Sequence, residues 1–206
     1  MSAHHAHIRP EIFLGFDLPK PSPEGLLPQD LRRLVGNLRK TKVNWSQLGP
    51  QVAFDQSAYF RKRLYRSREW ELLVLCWLPG QKTVVHDHGG SWGGTVVVAG
   101  EIFETVFASR GAGRRMETRL ERPLPTLGVT IESLSTIHRV ENRSNAPAVS
   151  LHLYSPPLRV LGSFDVETGV RHSVQIEEGP SVAVGGKPQG ARRRSVASSK
   201  SRRMKE

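Results

Sequence analysis

The stretch Gly80-Gln81-Lys82-Thr83-Val84-Val85-His86-Asp87-His88 decides how this chain folds. Pro79-Gly80 is a turn signal, and Thr83, Val84 and Val85 are β-branched, so a strand is predicted over 82–87. Residues i and i+2 of a strand share a face. His86 and His88 therefore project together and Asp87 points away. Two imidazoles on one face can hold one metal ion, although a His-x-His pair alone is a weak signal.

The sequence around this stretch is rich in strand signals. Further strands are predicted over 71–78, 94–99, 101–108, 114–121, 127–132, 137–141, 148–154, 159–166 and 170–177. They are punctuated by Gly and Pro, notably at Gly89-Gly90, Gly100, Pro123, Pro125 and Pro156-Pro157. Many short strands at this spacing form a sandwich or a barrel. Helix signals are confined to the first third. Asp30 is a plausible N-cap for a stripe of Leu31, Leu34, Val35 and Leu38, and a second helical candidate begins near Gly25.

Composition narrows the class. The 206 residues suit one domain with tails, and the 37% hydrophobic content, low for a compact domain, fits a polar tail. The formal charge is +11, but residues 180–206 carry eight Lys or Arg and one acid, so the excess is mainly a property of that stretch. Three segments are expected: an N-terminal extension over 1–24, a folded domain over 25–178, and a basic disordered tail over 179–206. The tail reads as solvated, with no specific nucleic-acid partner. No apolar run is long enough to span a bilayer, and the N-terminal His4, His5 and His7 read as mobile. The single cysteine, Cys76, excludes an intrachain disulfide, reads as a core residue, and points to a reducing, cytoplasmic compartment. A monomer is expected.

The spacing around His86 goes further. Gly80 is followed by five residues, His-x-His, four residues, Gly93, six residues and Gly100. This resembles the first cupin motif. His138-Arg139-Val140-Glu141-Asn142 resembles the end of the second, although Ser133 and Ser135 replace its upstream Pro-x-Gly. The resemblance implies a mainly all-β fold, a cupin-type jelly-roll β-barrel with a short N-terminal helical segment. It also implies metal ligation by His86, His88 and His138. Cupins usually place a glutamate ligand where this chain has Gly93. Imidazoles suit zinc, copper, iron and nickel, and spacing alone does not choose among them.

From Tyr59 to Pro157 the chain also resembles cysteine dioxygenases of the bacterial type. The matching pieces are Tyr59-Phe60-Arg61, Cys76-Trp77, His86-Asp87-His88-Gly89, Gly100, His138-Arg139-Val140-Glu141-Asn142 and Ser150-Leu151-His152-Leu153-Tyr154-Ser155-Pro156-Pro157. This resemblance implies Fe(II) on the three histidines, a small thiol and O2 as substrates, and oxidation of L-cysteine to cysteine sulfinic acid. It implies that Arg61, with Tyr59 beside it, binds the substrate carboxylate, a task suited to the guanidinium fork. Arg63 is the alternative if the register shifts by two. It further implies that Ser150, His152 and Tyr154, which alternate on one strand, form a hydrogen-bonded catalytic relay. Animal members carry a cysteine at the Gly93 position that crosslinks to the tyrosine, so no such crosslink forms here. A cis bond before Pro156 is compatible with the Ser155-Pro156-Pro157 run.

Two other functions compete. Dioxygenases of 3-mercaptopropionate tend to carry glutamine in place of Arg61, which favours cysteine here. A non-catalytic metal-binding cupin has no need of Arg61 or the relay.

Overall fold

The computed structural model describes residues 43–176, together with residues 29, 30, 33, 181 and 182. Most of the predicted N-terminal helix and of the basic tail lies outside the described residues. Gln29, Asp30 and Arg33 are helical, so Asp30 sits inside a helix and not at its N-cap. The chain then runs through α1 (Trp45–Leu48), a 3-10 turn (Gly49–Gln51), β1 (Phe60–Arg66), β2 (Glu71–Trp77), β3 (Val85–Asp87) and β4 (Trp92–Ala99). It continues with β5 (Glu101–Ala108), β6 (Glu117–Pro125), β7 (Val129–Glu132), β8 (Ile137–Glu141), β9 (Ala148–Ser155), β10 (Val160–Phe164), β11 (Arg171–Gln175) and β12 (Ser181–Val182).

These strands form two six-stranded sheets, ordered β12-β1-β2-β9-β4-β7 and β11-β10-β3-β8-β5-β6. The pairings β1–β2, β2–β9, β4–β9, β3–β8 and β5–β8 are all antiparallel. The predicted mainly β, cupin-type architecture is the one observed.

Side-chain alternation divides the first sheet into two faces. Leu73, Leu75 and Trp77 of β2 face the interior with Val97, Ile102, Leu124, Val140 and Tyr154. Leu72, Val74 and Cys76 face outward, where Val96, Val98, Leu151 and Leu153 join them and Leu48 of α1 covers them. With both faces covered, β2 reads as the continuous apolar run Glu-Leu-Leu-Val-Leu-Cys-Trp. Burial of each such leucine or valine contributes about 1.5–3 kcal/mol. Cys76 is a buried free thiol of this core, as expected.

Three strands depart from expectation. β1 was missed because Phe-Arg-Lys-Arg-Leu-Tyr-Arg hides its period under charge, and its outer neighbour is only the two-residue β12. β6 runs on through Pro123 and Pro125, which were read as terminators. It is an edge strand, where a missing N–H costs no ladder bond. β3 is shorter than predicted, and Lys82 makes only an isolated bridge to Glu141. Ser181–Val182, within the stretch read as a tail, pairs with Phe60 and Arg61. The Ser155–Pro156 bond is cis.

Candidate active site

β3 and β8 lie side by side with His86 directly opposite His138. His88 follows β3 by one residue. The ligand nitrogens of His86, His88 and His138 lie within 4.8 Å of one another, and all three residues are buried. Ring centroids are 5.2 Å apart for His86–His88, 4.7 Å for His86–His138 and 5.0 Å for His88–His138. His88 Nε2 and His138 Nε2 face each other at 3.2 Å.

The outer nitrogens fix the tautomers. His86 Nδ1 donates to the Val84 carbonyl at 3.0 Å, and His138 Nδ1 donates to Glu104 Oε1 at 2.9 Å. Each Nε2 is thereby left with a free lone pair, the form a metal requires. Burial, and then the neighbouring His138, push His86 down to about 3. The same causes hold His88 well below the ordinary histidine value. A buried, convergent imidazole set fits a divalent transition metal.

Two ion pairs brace this cluster. Burial disfavours the Glu104 carboxylate, but bonds from His138 and Arg122 hold its pKa below the ordinary value. Arg122 Nε donates to Glu104 Oε2 at 2.8 Å, and its Nη2 donates to Thr130 Oγ1 at 2.6 Å. Asp87 points away from the ligands, as predicted. Arg171 of β11 grips it through Nε at 2.7 Å and Nη2 at 3.0 Å, while Gly89 N and Gly162 N each donate to Oδ1 at 2.9 Å. Gly162 leaves room for this pair, because a Cβ there would push against the Arg171 guanidinium and Asp87 Oδ2.

The opposite sheet carries the three residues expected to form a relay. Ser150, His152 and Tyr154 of β9 point inward and are buried. Ser150 Oγ lies 2.8 Å from His152 Nε2, and Tyr154 Oη lies 3.3 Å from His152 Nδ1. Trp77 Nε1 donates to Ser150 Oγ at 2.9 Å. Burial, then the charges of His138, His86 and Arg61, push His152 down to about 3. Burial also holds the Tyr154 phenol well above its ordinary value. The rings of Tyr154 and His88 have centroids 4.9 Å apart, which brings the relay against the metal cluster.

Arg61 is opposite Leu75 on β2, and Leu75 is opposite Ser150 on β9, so Arg61 belongs to the inward face. Its positive charge opposes the upward push of burial on Tyr59 and Tyr154, and adds to the downward push of burial on His152. Arg63 shares this strand face two positions along. Tyr59 stacks on Trp77 with centroids 4.5 Å apart, and burial pushes its phenol up to about 12.

Three site residues escaped the sequence reading. Thr95 Oγ1 lies 2.9 Å from His152 Nδ1, a second hydroxyl at that nitrogen beside Tyr154. Glu104 is the carboxylate behind His138. Glu132 is wholly buried, and neither of its oxygens has a hydrogen-bond partner among the described residues. Burial pushes Glu132 up to about 7, opposed chiefly by the charge of His138. The available signal was a polar residue inside an apolar strand: Thr95 before Val96-Val97-Val98, and Glu132 after Val129-Thr130-Ile131.

Residues 30–167 match the family described as cysteine dioxygenase type I. The chain belongs to that family. It is 31% identical over 153 residues to cysteine dioxygenase type 1 of Danio rerio, covering 72% of this chain and 75% of that protein. It is 37% identical over 127 residues to cysteine dioxygenase type 1 of Homo sapiens, covering 60% of this chain and 64% of that protein. Among solved structures, it is similar to a double-stranded β-helix protein from Klebsiella pneumoniae, with TM-score 0.46, 15% identity, and coverage of 64% of this chain and 89% of that one. It is also similar to an RmlC-like cupin from Desulfovibrio desulfuricans, with TM-score 0.40, 23% identity, and coverage of 52% and 91%. The cysteine dioxygenase match extends beyond the 59–157 stretch on both sides.

Proposed function

We propose that this member of the cysteine dioxygenase family is a thiol dioxygenase that uses Fe(II) and O2 to convert L-cysteine to cysteine sulfinic acid. The observation that carries this reading is a convergence. The buried His86–His88–His138 cluster of one sheet lies against the hydrogen-bonded Ser150–His152–Tyr154 set of the other, with the Arg61 charge felt in the same space.

His86, His88 and His138 would hold the iron. When bound, the iron stabilises the substrate thiolate and brings it together with dioxygen, both of whose atoms end on sulfur. Arg61 would pair with the substrate carboxylate and fix which end of the molecule faces the metal. Tyr154 keeps its proton at neutral pH, because burial holds its phenol far above the ordinary value. It therefore offers an O–H donor to the reacting centre. His152 and Ser150 hold that hydroxyl in place, and the Trp77 indole N–H donates to Ser150 at the far end of the line. The apolar core around Leu73, Leu75 and Val97 keeps bulk water from this line.

The test is metal analysis of the purified protein combined with oxygen uptake on L-cysteine and 3-mercaptopropionate. Iron-dependent uptake with sulfinate formed faster from cysteine is expected. Faster turnover of 3-mercaptopropionate would reassign the substrate. No uptake by iron-loaded protein on either thiol would leave a metal-binding cupin.

A further inference from the structure

We infer that Thr95 is a positioning residue of the dioxygenase site: its hydroxyl oxygen accepts the Nδ1 hydrogen of His152, which fixes this ring in its Nδ1–H form and leaves the Tyr154 O–H free to face the metal cluster. This inference rests on the thiol dioxygenase reading and adds to it a residue that the reading does not use.

Thr95 of β4 is directly opposite His152 of β9, and both side chains are buried. Two hydroxyl oxygens approach His152 Nδ1: Thr95 Oγ1 at 2.9 Å and Tyr154 Oη at 3.3 Å. The direction of these bonds is set from the ends of the chain they belong to. At one end the Trp77 indole N–H, which can only donate, donates to Ser150 Oγ. The Ser150 hydrogen then needs an acceptor of its own, and His152 Nε2 lies 2.8 Å away. With Nε2 accepting, the neutral imidazole carries its proton on Nδ1. That proton points to Thr95 Oγ1, the nearer oxygen.

At the other end Thr95 passes its hydrogen on. Thr95 is opposite Thr130 of β7, and Glu132 is two residues further along that strand, so Thr95 and Glu132 are diagonal neighbours on one face, within reach of a long side chain. Thr95, with His138, is among the groups that oppose the upward push of burial on the Glu132 carboxyl. A carboxyl accepts a hydrogen bond whether or not it carries a proton. The reverse order, with Thr95 donating to Nδ1, would aim two donors at Ser150 and leave the Ser150 hydrogen without an acceptor. Tyr154 Oη therefore takes part at Nδ1 only as an acceptor, and at the longer distance. Its own hydrogen is uncommitted, and its ring lies against His88 with centroids 4.9 Å apart. Without the Thr95 oxygen, Tyr154 would become the main partner of Nδ1 and be drawn towards it, away from the cluster.

The test uses the full chain. In zinc-loaded protein with isotope-labelled histidine, NMR should show His152 protonated on Nδ1, a signal assigned by its loss in His152→Gln. In Thr95→Val, which keeps the shape and removes the oxygen, that N–H proton should move upfield as its bond lengthens. Thr95→Ser should restore it. With iron and L-cysteine, Thr95→Val should lower kcat about tenfold with KM nearly unchanged, and Thr95→Ser should recover most of the loss. Wild-type His152 protonated on Nε2, a Thr95→Val protein with the wild-type NMR signal or kcat, or a loss that serine does not rescue would overturn the inference. Iron-loaded wild type that takes up no oxygen on either thiol would instead overturn the thiol dioxygenase reading, while the NMR arm still decides the bond at Thr95.

Discussion

His138 Nδ1 donates to Glu104 Oε1 at 2.9 Å, and both side chains are buried, at 2% and 1% exposure. One carboxylate thus sets the tautomer of a metal ligand, and Arg122 in turn holds that carboxylate. Glu104→Gln keeps the shape but no longer presents a charged acceptor to the imidazole. It should lower metal affinity by about 10–100-fold, read from competition with a chelator of known strength.

Alanine at His86, His88 or His138 removes one corner of the cluster. Iron content, measured by elemental analysis, and oxygen uptake should fall together in each variant. Full iron occupancy in any of the three would remove that residue from the ligand set.

Arg171→Ala releases Asp87 on the far side of β3 and should loosen the two ligands that flank it. Metal affinity should drop by about tenfold, with Arg171→Lys intermediate because it restores the charge without the bidentate fork. Identical affinity in wild type and Arg171→Ala would limit the pair to a surface role.

Arg61→Ala should raise KM for cysteine and lower kcat/KM by about 10–100-fold, the cost of a lost charge-assisted bond pair. Tyr154→Phe should behave in the opposite way, with kcat falling and KM nearly unchanged. Steady-state oxygen uptake separates the two. Matching wild-type kinetics would exclude either residue from the mechanism.

His86 and His152 are both pushed down to about 3 in the folded chain, against about 6.5 in the unfolded one. Between these values the unfolded state binds protons that the native state refuses, so stability rises with pH. Metal-free protein should be most stable above about pH 6.5 and lose stability as the pH falls towards 3. Thermal melts across this range should show a shallower slope for His152→Gln than for wild type.

The metal cluster was legible in the sequence because strand alternation is a rigid rule: His86 and His88 had to share a face, and the motif spacing brought in His138. Strand alternation likewise put Ser150, His152 and Tyr154 on one face, whereas their reading as a relay came only with the resemblance. Arg61 was visible only through resemblance, because β1 carries arginine and lysine at most of its positions and no periodicity separates inward from outward residues. Thr95, Glu104 and Glu132 were hidden because their roles depend on register between strands distant in the chain. Glu132 matters only once β7 is known to pair with β4, and Glu104 only once β5 is known to pair with β8.

The three candidate metal-binding histidines belong to the β3–β8 side of one sheet, whereas Ser150, His152, Tyr154 and Arg61 sit on the other. The interior leucines, valines and Trp77 packed around the Tyr154–His88 contact therefore hold the two sheets at the separation that contact needs. A substitution such as Leu73→Ala, remote from any reacting atom, should blunt turnover by letting the two halves drift apart before it unfolds the barrel. Catalytic tuning in this fold is then partly a matter of core thickness.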